Sequence, residues 1–194
     1  DALPRQGRVV GYAVVVMGVS GCGKSTVGAE LARRLGSQFV DGDDLHPEAN
    51  RKKMALGVPL TDEDRWPWLD RVAATLASGL AAEELAVHPA RGAAKGREGG
   101  AGVVVACSAL RRSYRDRLRG AGAGLSFIYL EVAQVTIESR LRDRQGHFFP
   151  AALVASQFAT LEAPDPSSEP DVTVVPVLDL AAQVELALSA LSRV

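Results

Sequence analysis

"AVVVMGVSGCGKST" (residues 13–26) sets three signals end to end. The run 13–17 is apolar, β-branched and almost unbroken, the pattern of a strand buried on both faces. "GVSGCGKS" (18–25) then satisfies G-x-x-x-x-G-K-(S/T) in full. Behind it Val27, Leu31 and Leu35 recur at helical spacing until Gly36 stops the run. Strand, glycine loop and helix are the context in which this motif grips phosphate. Gly18, Gly21 and Gly23 let successive backbone N–H groups curl around phosphate oxygens at the positive end of the helix. Lys24 puts a point charge on the β- and γ-phosphates, and Ser25 offers its hydroxyl to Mg²⁺. The stretch Gly18, Val19, Ser20, Gly21, Cys22, Gly23, Lys24, Ser25 and Thr26 is therefore read as a nucleoside-triphosphate segment, with no redox role for Cys22.

A triphosphate site needs an acid for its metal. "VVVACSAL" (103–110), a second buried strand, ends in Cys107 and Ser108 and supplies none. No N-K-x-D stretch for guanine occurs either. "FVDGDDLHP" (39–47) ends a short strand in three carboxylates, and ligands of open α/β sheets collect at the carboxyl ends of strands. If the strand runs on through them, alternation aims Asp41 and Asp43 to one side, Gly42 permitting a sharp turn. Asp41 is then read as the Mg²⁺ ligand, direct or through water, and Asp43 as the acceptor of a hydroxyl proton. Asp44 reads as a turn or helix-start carboxylate. The competing reading is that Asp and Gly merely build a turn.

Beyond these segments the chain alternates. Strands are expected at 38–40, 103–107, 125–132 and 171–175 as well as 13–17. Helices are expected from Pro47 to Gly57, after the capping sequence "TDED" (61–64) with Leu69, Val72, Leu76 and Leu80, and around Leu110, Tyr114 and Leu118. Further ones are expected over 135–144, 151–162 and 180–191. The expectation is one α/β domain over 1–194, a doubly wound, mainly parallel five-stranded sheet with helices on both faces. Pro176 places the last strand at an edge. Residues 1–8 read as an irregular leader, and the Gly/Ala-rich stretch 88–102 as a flexible loop.

The totals narrow the partners. With 47% hydrophobic and 23% charged residues and a net charge of -1, bulk attraction to nucleic acid or an anionic membrane is not expected. The apolar run 13–17 is too short to cross a bilayer. Cys22 and Cys107 form neither a metal pattern nor a disulfide framework, which suits a reducing, cytoplasmic setting.

"MGVSGCGKST" (17–26), "DGDDLHPEANRKKMALGVPLTDEDRWPWL" (41–69), "CSALRRSYRDRLR" (107–119), "ESRLRDRQGHFF" (138–149) and "SQFATLE" (156–162) closely resemble the gluconate kinases, a branch of the P-loop small-molecule kinases. The linked pair D-x-D-D-x-H-P-x-x-N-x-x-K-M and G-x-P-L-x-D-x-D-R carries most of that likeness. It implies ATP-dependent phosphorylation of D-gluconate to 6-phosphogluconate, a sheet like that of nucleoside monophosphate kinases, and often a homodimer. Cys22 stands where many members have serine, and Arg111 where many have lysine.

An acceptor with one carboxylate and a row of hydroxyls calls for cations and polar donors. The helical substrate segment, about 45–87, offers His46, Asn50, Arg51, Lys53 and Arg65, and Ser108 and Arg111 follow a strand. Each has a plainer reading: a solvated helix face for Arg51 and Lys53, a salt bridge for Arg65, a cap neighbour for His46. Arg140 and Arg144, four apart, are expected on a lid at 140–150 that closes on phosphates, a surface cluster being the alternative. Lys24, Asp43 and Arg140 are the expected catalytic groups. Arg112, Arg115, Arg117 and Arg119 read as a solvated face, and Trp66, Trp68 and Phe158 as packing. Two rival functions stay open: a kinase of this architecture for shikimate or a nucleoside monophosphate, and a nucleotide-binding regulator without transferase activity.

Overall fold

The computed structural model of the protein describes residues 12–82, 102–143 and 151–192. Its strands are β1 (Ala13–Met17), β2 (Gln38–Asp41), β3 (Val103–Ala106), β4 (Leu125–Leu130) and β5 (Val172–Val175). Its helices are α1 (Lys24–Leu35), α2 (Glu48–Ala55), α3 (Asp62–Ala81), α4 (Arg112–Arg119), α5 (Gln134–Asp143), α6 (Ala151–Thr160) and α7 (Leu180–Leu191). All strand pairs are parallel, in the order β2-β3-β1-β4-β5. β1 lies in the middle, and β5 at one edge with Pro176 directly after it.

The valine-rich runs explain the layering. β1 and β3 are buried throughout, as strands covered on both faces must be. Ala13, Val15 and Met17 point with Val105, Phe127 and Tyr129 into one layer, closed by Leu69, Val72 and Leu76 of α3 and Tyr114 and Leu118 of α4. Val14 and Val16 point with Val104, Ile128 and Leu130 into the other, closed by Val27 and Leu31 of α1, Ile137 of α5 and Val184 of α7. Because every strand runs the same way, the loops after β1, β2 and β3 open on one rim of the sheet.

Local signals set the helix ends. Gly36 adopts a left-handed φ of 64°, and Ser37 N–H reaches back 2.9 Å to the Ala32 carbonyl, closing α1. Thr61 and Asp64 form a reciprocal capping box at the start of α3, each side chain accepting the other's backbone N–H. Pro47 stands just before α2, not within its first turn.

Three expectations are corrected. β2 stops at Asp41, and Gly42–Leu45 winds into one 3-10 turn, so strand alternation does not govern Asp43. Gly42 is not needed for a left-handed turn. A Cβ there would press into the Ala106 carbonyl oxygen, so the requirement is close approach to β3. The arginines of α4 are not a uniformly solvated face either. Arg115 is 1% exposed and forks onto Glu169 at 2.8 and 2.6 Å, while its Nη1 donates to the Ala109 and Leu110 carbonyls. That buried pair fixes the β3–α4 connection, which carries Ser108 and Arg111.

Candidate active site

The glycine loop has the backbone the motif demands. Gly18, Gly21 and Gly23 take φ of 142°, 81° and 103°, values that favour glycine. Helix α1 starts at Lys24 with no side-chain cap, so its first N–H groups and its positive end are available to an anion. Lys24 Nζ rests 3.0 Å from the Val19 carbonyl, inside the loop. Ser25 and Thr26 are exposed at the helix start.

Ser25 Oγ donates to Asp41 Oδ2 at 2.7 Å, and Asp41 Oδ1 accepts the Asp43 N–H at 3.0 Å. A strand-end carboxylate is thus held between the phosphate loop on one side and the 42–45 turn on the other. Hydroxyl and carboxylate are hard oxygen donors. Among the described residues no group of three or more His, Cys, Asp or Glu could form an all-protein metal cage. A small site completed by water and phosphate oxygens is the arrangement Mg²⁺ favours, so the residues present fit that ion.

Asp43 comes next to this pair through the turn, without strand alternation. Dehydration by the surrounding cleft, and then the Asp41 charge, push its carboxyl above the usual carboxylate range. Lys24 opposes that rise, and Asp44 adds a little to it. With 84% of its side-chain surface open to solvent, the dehydration is partial, and the nearby Asp41 charge is the cause the geometry carries best. Asp44 is exposed in the first turn of the same 3-10 segment.

His46 is 3% exposed. Its ring stacks on Trp68 with centroids 4.2 Å apart and planes at 13°. Asn50 bonds its Nδ1 at 3.2 Å, and its Nε2 lies 4.0 Å from Asp43 Oδ1. Burial first, then the Arg65 and Arg51 charges, lower its pKa to about 4. Trp68 Nε1–H also donates to the Gly42 carbonyl at 2.7 Å. The indole read from sequence as packing therefore clamps the aspartate turn as well.

The cations expected to meet the acceptor are already paired. Lys53 bonds both Asp64 oxygens at 2.7 Å, and Arg51 Nε donates to the His46 carbonyl at 3.1 Å. Arg111 Nη1 donates to Asp62 Oδ2 at 3.0 Å, and Arg65 Nη1 stands 3.7 Å from Asp62 Oδ1. Tyr114 OH donates to that same oxygen, and both guanidinium groups lie over its ring, 5.7 and 5.9 Å from the centroid. Arg65 and Arg111, 46 residues apart by number, thus converge on one carboxylate, a placement that makes a shared anion subsite chemically reasonable. Ser108 meets the site through its backbone, its carbonyl accepting the Gly18 N–H at 3.3 Å.

On the opposite side, Ile137 of α5 packs where a Gly21 side chain would begin. Arg140, one turn on and exposed, is close enough for its charge to lower the Cys22 thiol pKa, which burial raises more strongly. Arg144, the lid tip 144–150, residues 83–101 and residues 1–11 lie outside the described residues. Gln157 of α6 lies in the helix expected over 151–162 and carries no site motif in the sequence. Its Oε1 accepts the Ser20 N–H at 2.6 Å and its Nε2 donates to Ser20 Oγ at 2.9 Å, tying α6 to the phosphate loop. A bond spanning 137 residues leaves no periodic trace in the sequence.

Known proteins resemble this chain in sequence and in fold. A family model described as "AAA domain" matches residues 14–164. A gluconokinase of Gluconobacter oxydans is 45% identical over 161 residues, covering 83% of this chain and 80% of that protein. The thermoresistant gluconokinase of Escherichia coli is 45% identical over 163 residues, covering 84% and 83%. The crystal structure of a gluconokinase from Sinorhizobium meliloti superposes with a TM-score of 0.76 at 42% identity, over 96% of this chain and 94% of that one.

Proposed function

The chain belongs to the gluconokinase family, and from that premise we propose that it transfers the terminal phosphoryl group of ATP to the end hydroxyl of D-gluconate. The products are 6-phospho-D-gluconate and ADP. The observation that supports the assignment of roles is the Ser25–Asp41 pair at 2.7 Å, with the Asp43 N–H bonded to the same carboxylate at 3.0 Å.

The reaction asks little covalent chemistry of the protein and much positioning and charge neutralisation. The glycine loop and the start of α1 hold the phosphates, and Lys24 exchanges the Val19 carbonyl for phosphate oxygens. Ser25 and Asp41 would hold Mg²⁺, which when bound shields the phosphate charge. Asp43 accepts the proton of the gluconate hydroxyl as its oxygen bonds to the γ-phosphorus and the bond to the β-phosphate oxygen breaks. Arg65 and Arg111 receive the gluconate carboxylate in the space where they now share Asp62, with Arg51, Lys53, Ser108 and the His46 edge bordering the acceptor. Arg140 of α5, whose charge already reaches Cys22 in the phosphate loop, supplies positive charge to the phosphates. Two buried free thiols suit a reducing cytoplasm, and the family likeness is the support for a homodimer.

A panel of acceptors assayed by ADP release tests the proposal. Gluconate should drive Mg²⁺-dependent release far above the acceptor-free rate. A better rate with shikimate or a nucleoside monophosphate would overturn the acceptor assignment, and ATP binding without turnover on any acceptor would favour a regulator.

A further inference from the structure

The Asn50–His46–Asp43 chain has a polarity that the donor chemistry determines. Asn50 Nδ2 lies 2.8 Å from the Asp64 carbonyl oxygen, which can only accept. The amide nitrogen is therefore the atom on that side, and its second N–H points at His46 Nδ1, 3.2 Å away. Nδ1 must offer its lone pair, so the ring proton sits on Nε2. Protonating Nδ1 as well would set an N–H against an N–H in a buried place. The Arg51 and Arg65 charges discourage the same event. Trp68 resists rotation of the ring by stacking on it and, through its bond to Gly42, holds ring and aspartate turn with one indole. The protonated Nε2 faces Asp43 Oδ1 at 4.0 Å, and roughly 1 Å of side-chain movement closes that gap to a hydrogen bond.

We propose that His46 is a positioning residue for the acceptor carboxylate, a neutral imidazole whose Nε2–H, placed by Asn50, holds one oxygen of Asp43 and turns the other toward the incoming hydroxyl. The inference rests on the reading of Asp43 as proton acceptor. A neutral donor orients a carboxylate without adding a positive charge that would weaken it as a base. It also gives the buried histidine a use other than direct contact with the acceptor, for which its 3% exposure leaves only an edge.

Nitrogen-15 NMR of the full-length protein reads the ring directly, with His88 and His147 as internal comparisons. The Nε2–H tautomer of His46 should persist from about pH 5.5 to 8. An imidazolium or an Nδ1–H ring in that range would overturn the proposal. His46→Phe keeps a flat ring for Trp68 and removes the donor. Its kcat should fall roughly 10- to 100-fold, as expected for a lost hydrogen bond to a charged group, with KM for ATP within about twofold. His46→Gln, which carries an amide N–H, should recover part of that loss. If His46→Phe does not fold, Asn50→Asp serves: it keeps the shape and accepts from Nδ1, at the cost of the bond to the Asp64 carbonyl, and moves the ring proton from Nε2 to Nδ1. It should show the altered ring signature and the same loss in kcat. Wild-type kcat in folded His46→Phe, or in Asn50→Asp with a switched ring, would overturn the proposal. Wild-type kcat in Asp43→Asn with an unchanged His46 signature would instead overturn the reading of Asp43 as proton acceptor.

Discussion

Replacing Glu169 by glutamine tests the buried framework behind the site. Glu169 is 3% exposed and accepts from Arg115 Nε and Nη2 at 2.8 and 2.6 Å and from Arg119 Nη2 at 2.8 Å. Bonding to Arg115 above all, against a burial penalty and with help from Arg119, lowers its pKa from 4.5 to about 2. At 1.36 kcal/mol per pH unit that shift corresponds to about 3 kcal/mol at neutral pH. Removing one partner of a buried pair costs about 3–5 kcal/mol, which is consistent. In Glu169→Gln, Arg115 keeps its charge among apolar neighbours without a countercharge. Urea unfolding followed by the fluorescence of Trp66 and Trp68 at pH 7 should show a loss of about 3 kcal/mol, or roughly 6–12 °C in Tm for a chain of this length. Because the folded pKa is depressed, the carboxylate's contribution is full above about pH 4.5 and drains as pH falls toward 2. At pH 3.5 the difference between wild type and variant should shrink to about 2 kcal/mol. A difference below about 1 kcal/mol at pH 7, or one that does not shrink with acid, would refute the reasoning.

Three further substitutions probe the site. Lys24→Ala should lower turnover by about a hundredfold or more while circular dichroism stays native, since among the described residues its side chain gives up a bond to the Val19 carbonyl alone. Asp41→Asn should raise the Mg²⁺ concentration for half-maximal rate by about tenfold, measured by titrating Mg²⁺ at fixed ATP. Trp68→Phe keeps the ring beside His46 but takes the indole donor from the buried Gly42 carbonyl, costing about 1 kcal/mol in a urea titration.

Much of the architecture could be read from local signals. The valines of 13–17 and 103–106, the glycine loop and the stop at Gly36 each obey short-range rules, and all appear where those rules put them. Asp41 beside Ser25 was also readable, because strand ends and the phosphate loop share one rim in an open sheet. What sequence reasoning got wrong was the reason for Asp43. Strand alternation was invoked, but a 3-10 turn carries it, and Gly42 serves a contact with β3 that no local pattern records. Residues that act across the fold were missed for the same reason. Trp68, Gln157, Asp62 and Arg115 look like packing, helix surface or solvated charge until partners 26 to 137 positions away are brought to them.

The phosphorylated product is the most direct test of the central claim. Phosphorus-31 NMR of a reaction containing the protein, ATP, Mg²⁺ and D-gluconate should show one phosphate monoester, on the terminal carbon of gluconate, growing in step with ADP. ADP accumulating with inorganic phosphate alone, or an ester at another position, would contradict the assignment of Asp43 and its turn to the end hydroxyl of gluconate.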